Sequence, residues 1–127
     1  MSDTASFSLV IHDGAFGRIH YGLIMASAAA AIGRRVTILF AGEAVAILTE
    51  NYSPPDEDAR NLSLGVAGLD ELLTACQDLK VRMIVCETAL VQAELKTDNL
   101  RTDLTLESGG FVTYLNATDT NGQLLFV

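Results

Sequence analysis

The chain has 127 residues, half of them hydrophobic, and 16 acidic against 8 basic side chains give a formal net charge of −8. That length fits one domain over 1–127 with a single core, and the absence of Trp and scarcity of rings make that core aliphatic. The acidic excess repels phosphate backbones and leaves no basic cluster to release their counterions, which argues against a nucleic-acid partner.

The opening MSDTASFSLVI has no basic n-region and runs straight into a strand pattern, so it does not resemble a signal peptide and a cytoplasmic protein is expected. Residues 6–12, SFSLVIH, form a short apolar run that ends at the turn signal Asp13-Gly14 and predict a buried strand. A helix follows from Gly17 to about Ile32, because Ile19, Leu23, Ala26 and Ala30 recur at helical spacing and Gly33 stands where a C′ residue belongs. Its most apolar part, LIMASAAAAIG, is much shorter than the ~20 residues a spanning helix needs, so no membrane partner is expected. His20 and Tyr21 read as surface or interface residues on this helix.

VTILFA, residues 36–41, has no polar face, as expected of a strand covered by helices on both sides. A short helix is predicted over Glu43–Glu50. Residues 50–68, with both prolines, Asp56-Glu57-Asp58 and two glycines, read as a long loop. Leu69, Leu72, Leu73, Cys76 and Leu79 make the stripe of an amphipathic helix, which gives Cys76 a place in the core. VRMIVC, 81–86, is the next strand. A helix from Glu87 to about Leu95, a short strand at 103–106, a helix over Gly110–Ala117 and a terminal strand at 124–127 complete the pattern.

Strand and helix alternate throughout, which predicts an α/β fold of three layers, α/β/α, with a mostly parallel sheet of about five strands. Ligands of such sheets gather at the carboxyl ends of the strands, here the loops after His12, Ala41 and Cys86. Cys86 is the last residue of its strand and immediately precedes a helix, whose unpaired N–H groups favour the thiolate, the reactive form of the side chain. Glu87 beside it opposes a second negative charge. Two readings stay open at this point: a nucleophilic or sulfur-carrying thiol, or a small buried hydrophobe.

Spacing excludes several thiol chemistries. Cys76 and Cys86 lack the CxxC spacing of a redox pair, no Cys/His cluster has zinc-ligand spacing, and neither a metal nor a cofactor is predicted. A tyrosine-phosphatase loop needs an arginine six positions after its cysteine, where this chain has Gln92. HDGAFG offers only Gly14 and Gly17 to a dinucleotide fingerprint, a weak match.

The small-residue helix and strand from Gly22 to Val36, ILFAGEAVAILTE, GLDELLTACQDLKV, VRMIVCETAL and SGGFVTYLNAT together resemble the DsrE/DsrF-like family, which includes sulfur-relay proteins of the DsrE and TusD type. The strand-end cysteine and Gly109-Gly110 are the distinctive parts. The resemblance implies a DsrE-like domain in a homo-oligomer, in which Cys86 accepts sulfane sulfur as a persulfide and passes it on, with sulfur donor and acceptor proteins as partners. His12 is the candidate base or cation beside the thiol, provided the two strands are neighbours. Gly14, Glu43, Glu87 and Thr88 are the candidate substrate-binding residues, and Phe16 and Tyr52 the aromatics available to shield the thiol. A non-catalytic oligomeric subunit and a small-molecule-binding module of the same fold are the rival readings.

Overall fold

The apolar runs of the sequence become the middle of a sheet. The structure, a computed structural model, describes residues 5–127. Its strands are β1 (Phe7–Ile11), β2 (Val36–Phe40), β3 (Arg82–Cys86), β4 (Leu106–Gly109) and β5 (Gln123–Phe126), arranged in the order β4-β3-β2-β1-β5. Every pairing is parallel. β1 and β2 are buried at every position, which is why neither shows a polar face in its sequence.

The helices are α1 (Phe16–Ala31), α2 (Asp56–Ser63), α3 (Leu69–Asp78), α4 (Glu87–Gln92) and α5 (Phe111–Ala117). From β1 to β4 the chain steps one neighbour at a time in one direction, so right-handed crossovers lay the intervening helices on one face, where α1 and α3 pack together. The return from β4 to β5 runs the opposite way. The same handedness puts α5 on the other face, against β2 and β4. This gives the three layers. Gly22 lets α1 lie close on β1: a Cβ there would stand 3.1 Å from Ile11 Cδ1. No helix among the described residues is long and apolar enough to cross a membrane.

α1 ends at Gly33, whose φ of +93° and the bonds Gly33 N–H to Ala30 O and Arg34 N–H to Ala29 O make a Schellman motif. α3 ends the same way with a non-glycine: Lys80 holds φ +66° while its N–H bonds Gln77 O and that of Val81 bonds Cys76 O. A left-handed β-carbon costs more than the extra chain entropy of glycine. Lys80→Gly is therefore expected to stabilise the fold by about 1 kcal/mol, read as a higher urea midpoint at unchanged slope.

Three elements differ from the sequence reading. The segment 50–68 contains α2, in which no residue is buried, so it has no apolar period to betray it. Its first turn is the acidic triplet, which complements the helix dipole, and Asp58 Oδ1 accepts a 2.8 Å bond from Leu69 N–H. Residues Gly42–Leu48 wind as a tighter 3-10 helix rather than an α-helix over Glu43–Glu50. The fourth strand is Leu106–Gly109, not 103–106, because an edge strand tolerates polar residues: Glu107 takes Arg82 of β3 through bonds of 2.6 and 2.8 Å.

Arg101 clamps the loops on that side. It binds Asp103 at 3.0 and 2.7 Å and Asp70 at 2.6 Å, next to a bridge between Thr49 and Leu100. The Arg101 hydrogen bonds hold the Asp103 carboxyl below its ordinary range. A depressed carboxyl stabilises the fold above its unfolded value, ~3.9, and loses that contribution as pH falls through the lower folded value. Arg101→Met is thus expected to lower stability at neutral pH, and the gap from the native protein should narrow below about pH 4 in urea titrations.

Candidate functional site

Three strand ends turn into helices side by side at the carboxyl edge of the sheet. β2 passes through Ala41 into the 3-10 helix at Gly42, β3 enters α4 at Cys86, and β4 enters α5 through Gly110. Cys86 and Gly109 are register partners, so the cysteine and the Gly109-Gly110 pair singled out in the sequence adjoin. Helix starts carry N–H groups without intrahelical partners, and their convergence favours negative charge.

These turns enclose a cleft of about 220 Å³ lined by His12, Ala41, Gly42, Cys86, Thr88, Ala89, Gln92, Gly110 and Phe111. Cys86 is only 5 % exposed, yet it is one of the residues that line this cleft. Both alternatives for the thiol thus keep an observation in their favour, burial for one and the adjoining opening for the other. Cys86 is also the N-cap of α4, and its side chain makes no capping hydrogen bond. Serine or aspartate would serve the helix better at that position.

His12 is exposed and lines the same cleft, although β1 and β3 are not neighbours. β2 lies between them, so the condition set for a direct Cys-His pair is not met. Two strand spacings separate the backbones by ~10 Å, and both residues line the cleft. Thr88 lines it as well. Gly14, Glu43 and Glu87 stand outside the lining, each just beyond the end of β1, β2 or β3. Gly14 lies close on Glu43, where a Cβ would stand 2.7 Å from Glu43 Cβ.

The other residues weighed in the sequence fall elsewhere. Phe16 is buried against His20, with ring centroids 5.8 Å apart, and Tyr52 lines a separate cleft of about 380 Å³ beside Arg101, so neither shields Cys86. His20 is buried rather than at the surface, and its Nε2 hydrogen-bonds Ala67 O at 2.8 Å, tying α1 to the chain before α3. Cys76 is fully buried, and burial pushes its thiol up to about 11, which disfavours a thiolate at neutral pH. Among the described residues no group of His, Cys, Asp and Glu is arranged to hold a metal ion.

Gly42, Gln92 and Phe111 belong to the cleft and were missed as candidates. The signal available for Gly42 and Phe111 was position, since each follows a strand end by two residues, whereas Gln92 closes α4. α5 carries one further anomaly next to Phe111. Tyr114 is 2 % exposed, its hydroxyl makes no hydrogen bond within the described residues, and burial pushes it up to about 12. Replacing an unsatisfied hydroxyl by hydrogen keeps the shape and removes the desolvation cost. Tyr114→Phe is expected to raise stability by about 1 kcal/mol in urea denaturation.

The sequence matches the DsrE/DsrF-like family over residues 6–126. Among solved structures, the ychN protein from E. coli is similar at 14 % identity with a TM-score of 0.71, covering 98 % of this chain and 100 % of that one. MTH1491 from Methanobacterium thermoautotrophicum, described as a protein of unknown function, is similar at 13 % identity with a TM-score of 0.62 over 98 % and 100 % of the two chains. At such identities the likeness speaks for the fold alone. No curated protein matches the sequence.

Proposed function

The chain belongs to the DsrE/DsrF-like family, and from that premise we propose that it is a sulfur carrier in which Cys86 holds sulfane sulfur as a persulfide. The observation that carries this reading is that Cys86 lines a small cleft at which three helix starts converge. In the first step the Cys86 thiolate attacks the outer sulfur of a donor persulfide. A Cys86 S–S bond forms, the donor S–S bond breaks, and the donor thiolate leaves. In the second step an acceptor thiolate attacks the outer sulfur and Cys86 leaves as the thiolate, so neither step needs an external oxidant or reductant.

In this reading His12 takes the Cys86 proton through the bound substrate or protonates the leaving thiolate. Thr88 offers a hydroxyl to the bound sulfur, while Gly14, Glu43 and Glu87 act from outside the lining on what approaches. The donor and acceptor are proteins, and the chain works as a cytoplasmic homo-oligomer. Support for self-association comes from β5, an edge strand with Leu124 at 56 %, Leu125 at 41 % and Phe126 at 62 % exposure.

Incubation with polysulfide followed by intact mass measurement tests the reading. Uptake of one or more sulfur atoms under native conditions, reversed by a thiol reductant, is expected. No uptake would sink it and favour a non-catalytic subunit, and thermal stabilisation by small molecules independent of Cys86 would favour a binding module.

A further inference from the structure

His12 is exposed, a setting in which a side chain is free to sample several rotamers. Two contacts restrict it instead. On one side the backbone of Gly42 lies so close that a β-carbon there would stand 2.6 Å from His12 Cδ2, 3.0 Å from Nε2 and 2.8 Å from the carbonyl oxygen. Gly42 holds φ +50°, so the chain turns in a left-handed conformation where it faces the ring. Against the ring also lies Phe126 of β5, with centroids 5.6 Å apart and planes tilted by 36°. The backbone beneath is tied to the same strand: Val127 O accepts from the N–H groups of His12 at 2.7 Å and Asp13 at 3.2 Å, and Val127 N–H donates to Val10 O at 2.8 Å.

Neither contact is needed for the core. Phe126 is 62 % exposed, so its ring adds little to the buried interior, yet its one aromatic neighbour is the histidine of the cleft. Gly42 itself lines the cleft. A side chain with two free torsions at a surface samples several rotamers, and a group that must deliver a proton across a cleft is effective only in the rotamer that faces it. Restricting the ring from two elements removes the unproductive rotamers.

We propose that Gly42 and Phe126 are positioning residues for sulfur transfer at Cys86: the backbone of Gly42 and the ring of Phe126 together hold the His12 imidazole toward the cleft. The inference deepens the sulfur-carrier reading and rests on it. It also makes β5, an edge strand, part of the site, since anything that displaces Phe126 frees the histidine.

The test uses Gly42→Ala, Phe126→Ala, Phe126→Tyr and His12→Gln in the full chain, with two readouts. The first is the NMR spectrum of the His12 ring protons, which report a change in the ring's surroundings, 5.6 Å from the Phe126 ring between centroids, independently of any sulfur chemistry. The second is the rate of polysulfide uptake at Cys86 across pH. His12→Gln is expected to slow uptake by about a hundredfold or more. Phe126→Ala and Gly42→Ala, which act through different elements, are expected to move the His12 ring signals and slow uptake in the same direction. Phe126→Tyr, which keeps the ring, should restore both readouts. Unchanged His12 signals in both alanine variants, or native uptake rates in both beside a slow His12→Gln protein, overturn the proposal. So does a His12→Gln protein that takes up sulfur at the native rate. If the native protein takes up no sulfur, the carrier reading itself has failed, and the ring signals still decide whether Gly42 and Phe126 hold the imidazole.

Discussion

Cys86→Ser is expected to abolish sulfur uptake completely while leaving the fold as stable as before or slightly more so. Serine is isosteric but cannot form a persulfide, so the chemistry ends at the first step. Stability moves the other way because residue 86 is the N-cap of α4, where the thiol makes no capping bond and a serine hydroxyl accepts one from the helix N–H groups. That cap is worth about 1 kcal/mol, offset in part by burying the hydroxyl. Loss of uptake in a protein of undiminished urea stability therefore reads as lost chemistry rather than lost structure. Cys76→Ser is the companion: it should retain uptake, because Cys76 lies fully buried on α3 and burial disfavours its thiolate. Uptake that persists in Cys86→Ser and disappears in Cys76→Ser would overturn the assignment.

Phe40→Ala is expected to produce the largest loss of stability. Phe40 is fully buried at the end of β2, the central strand, in register with Ile11 on one side and Val85 on the other. Truncation removes the ring and leaves a cavity that parallel strands cannot close, because their spacing is fixed by the hydrogen-bond ladder. A cost of about 3–5 kcal/mol follows, against a total of about 5–15 for a domain of ordinary stability. Urea denaturation should show this as a midpoint shift at constant slope. A cost below about 1 kcal/mol would mean that the sheet repacks around the gap.

The sheet was legible because its strands are buried on both faces. SFSLVIH, VTILFA and VRMIVC are mostly apolar, and the structure places β1, β2 and β3 within them. α1 and its Gly33 terminus were legible for a similar reason, since one face is covered and glycine is the residue that favours the left-handed turn. Legibility failed where burial failed. α2 buries nothing, and β4 is an edge strand whose residues are at most partly covered apart from Gly109, so no apolar period marks their bounds, whereas the apolar LLFV marked exposed β5 to within one residue. Among the site candidates, Cys86, His12 and Thr88 line one cleft, whereas Gly42 and Phe111 entered it through the turns after strands and Gln92 from the end of α4.

Local chemistry therefore determined the α/β class, the parallel sheet and the place of a thiol at a strand end, because period and turn residues act over a few positions. The strand order β4-β3-β2-β1-β5 was decided only by packing across the whole chain. It put β2 between the histidine and the cysteine, brought Phe126 from the far end of the sequence against His12, and set Gly109 beside Cys86. Which strands adjoin depends on how helices of given length cover the sheet, a property of the assembled layers that no short stretch of residues carries.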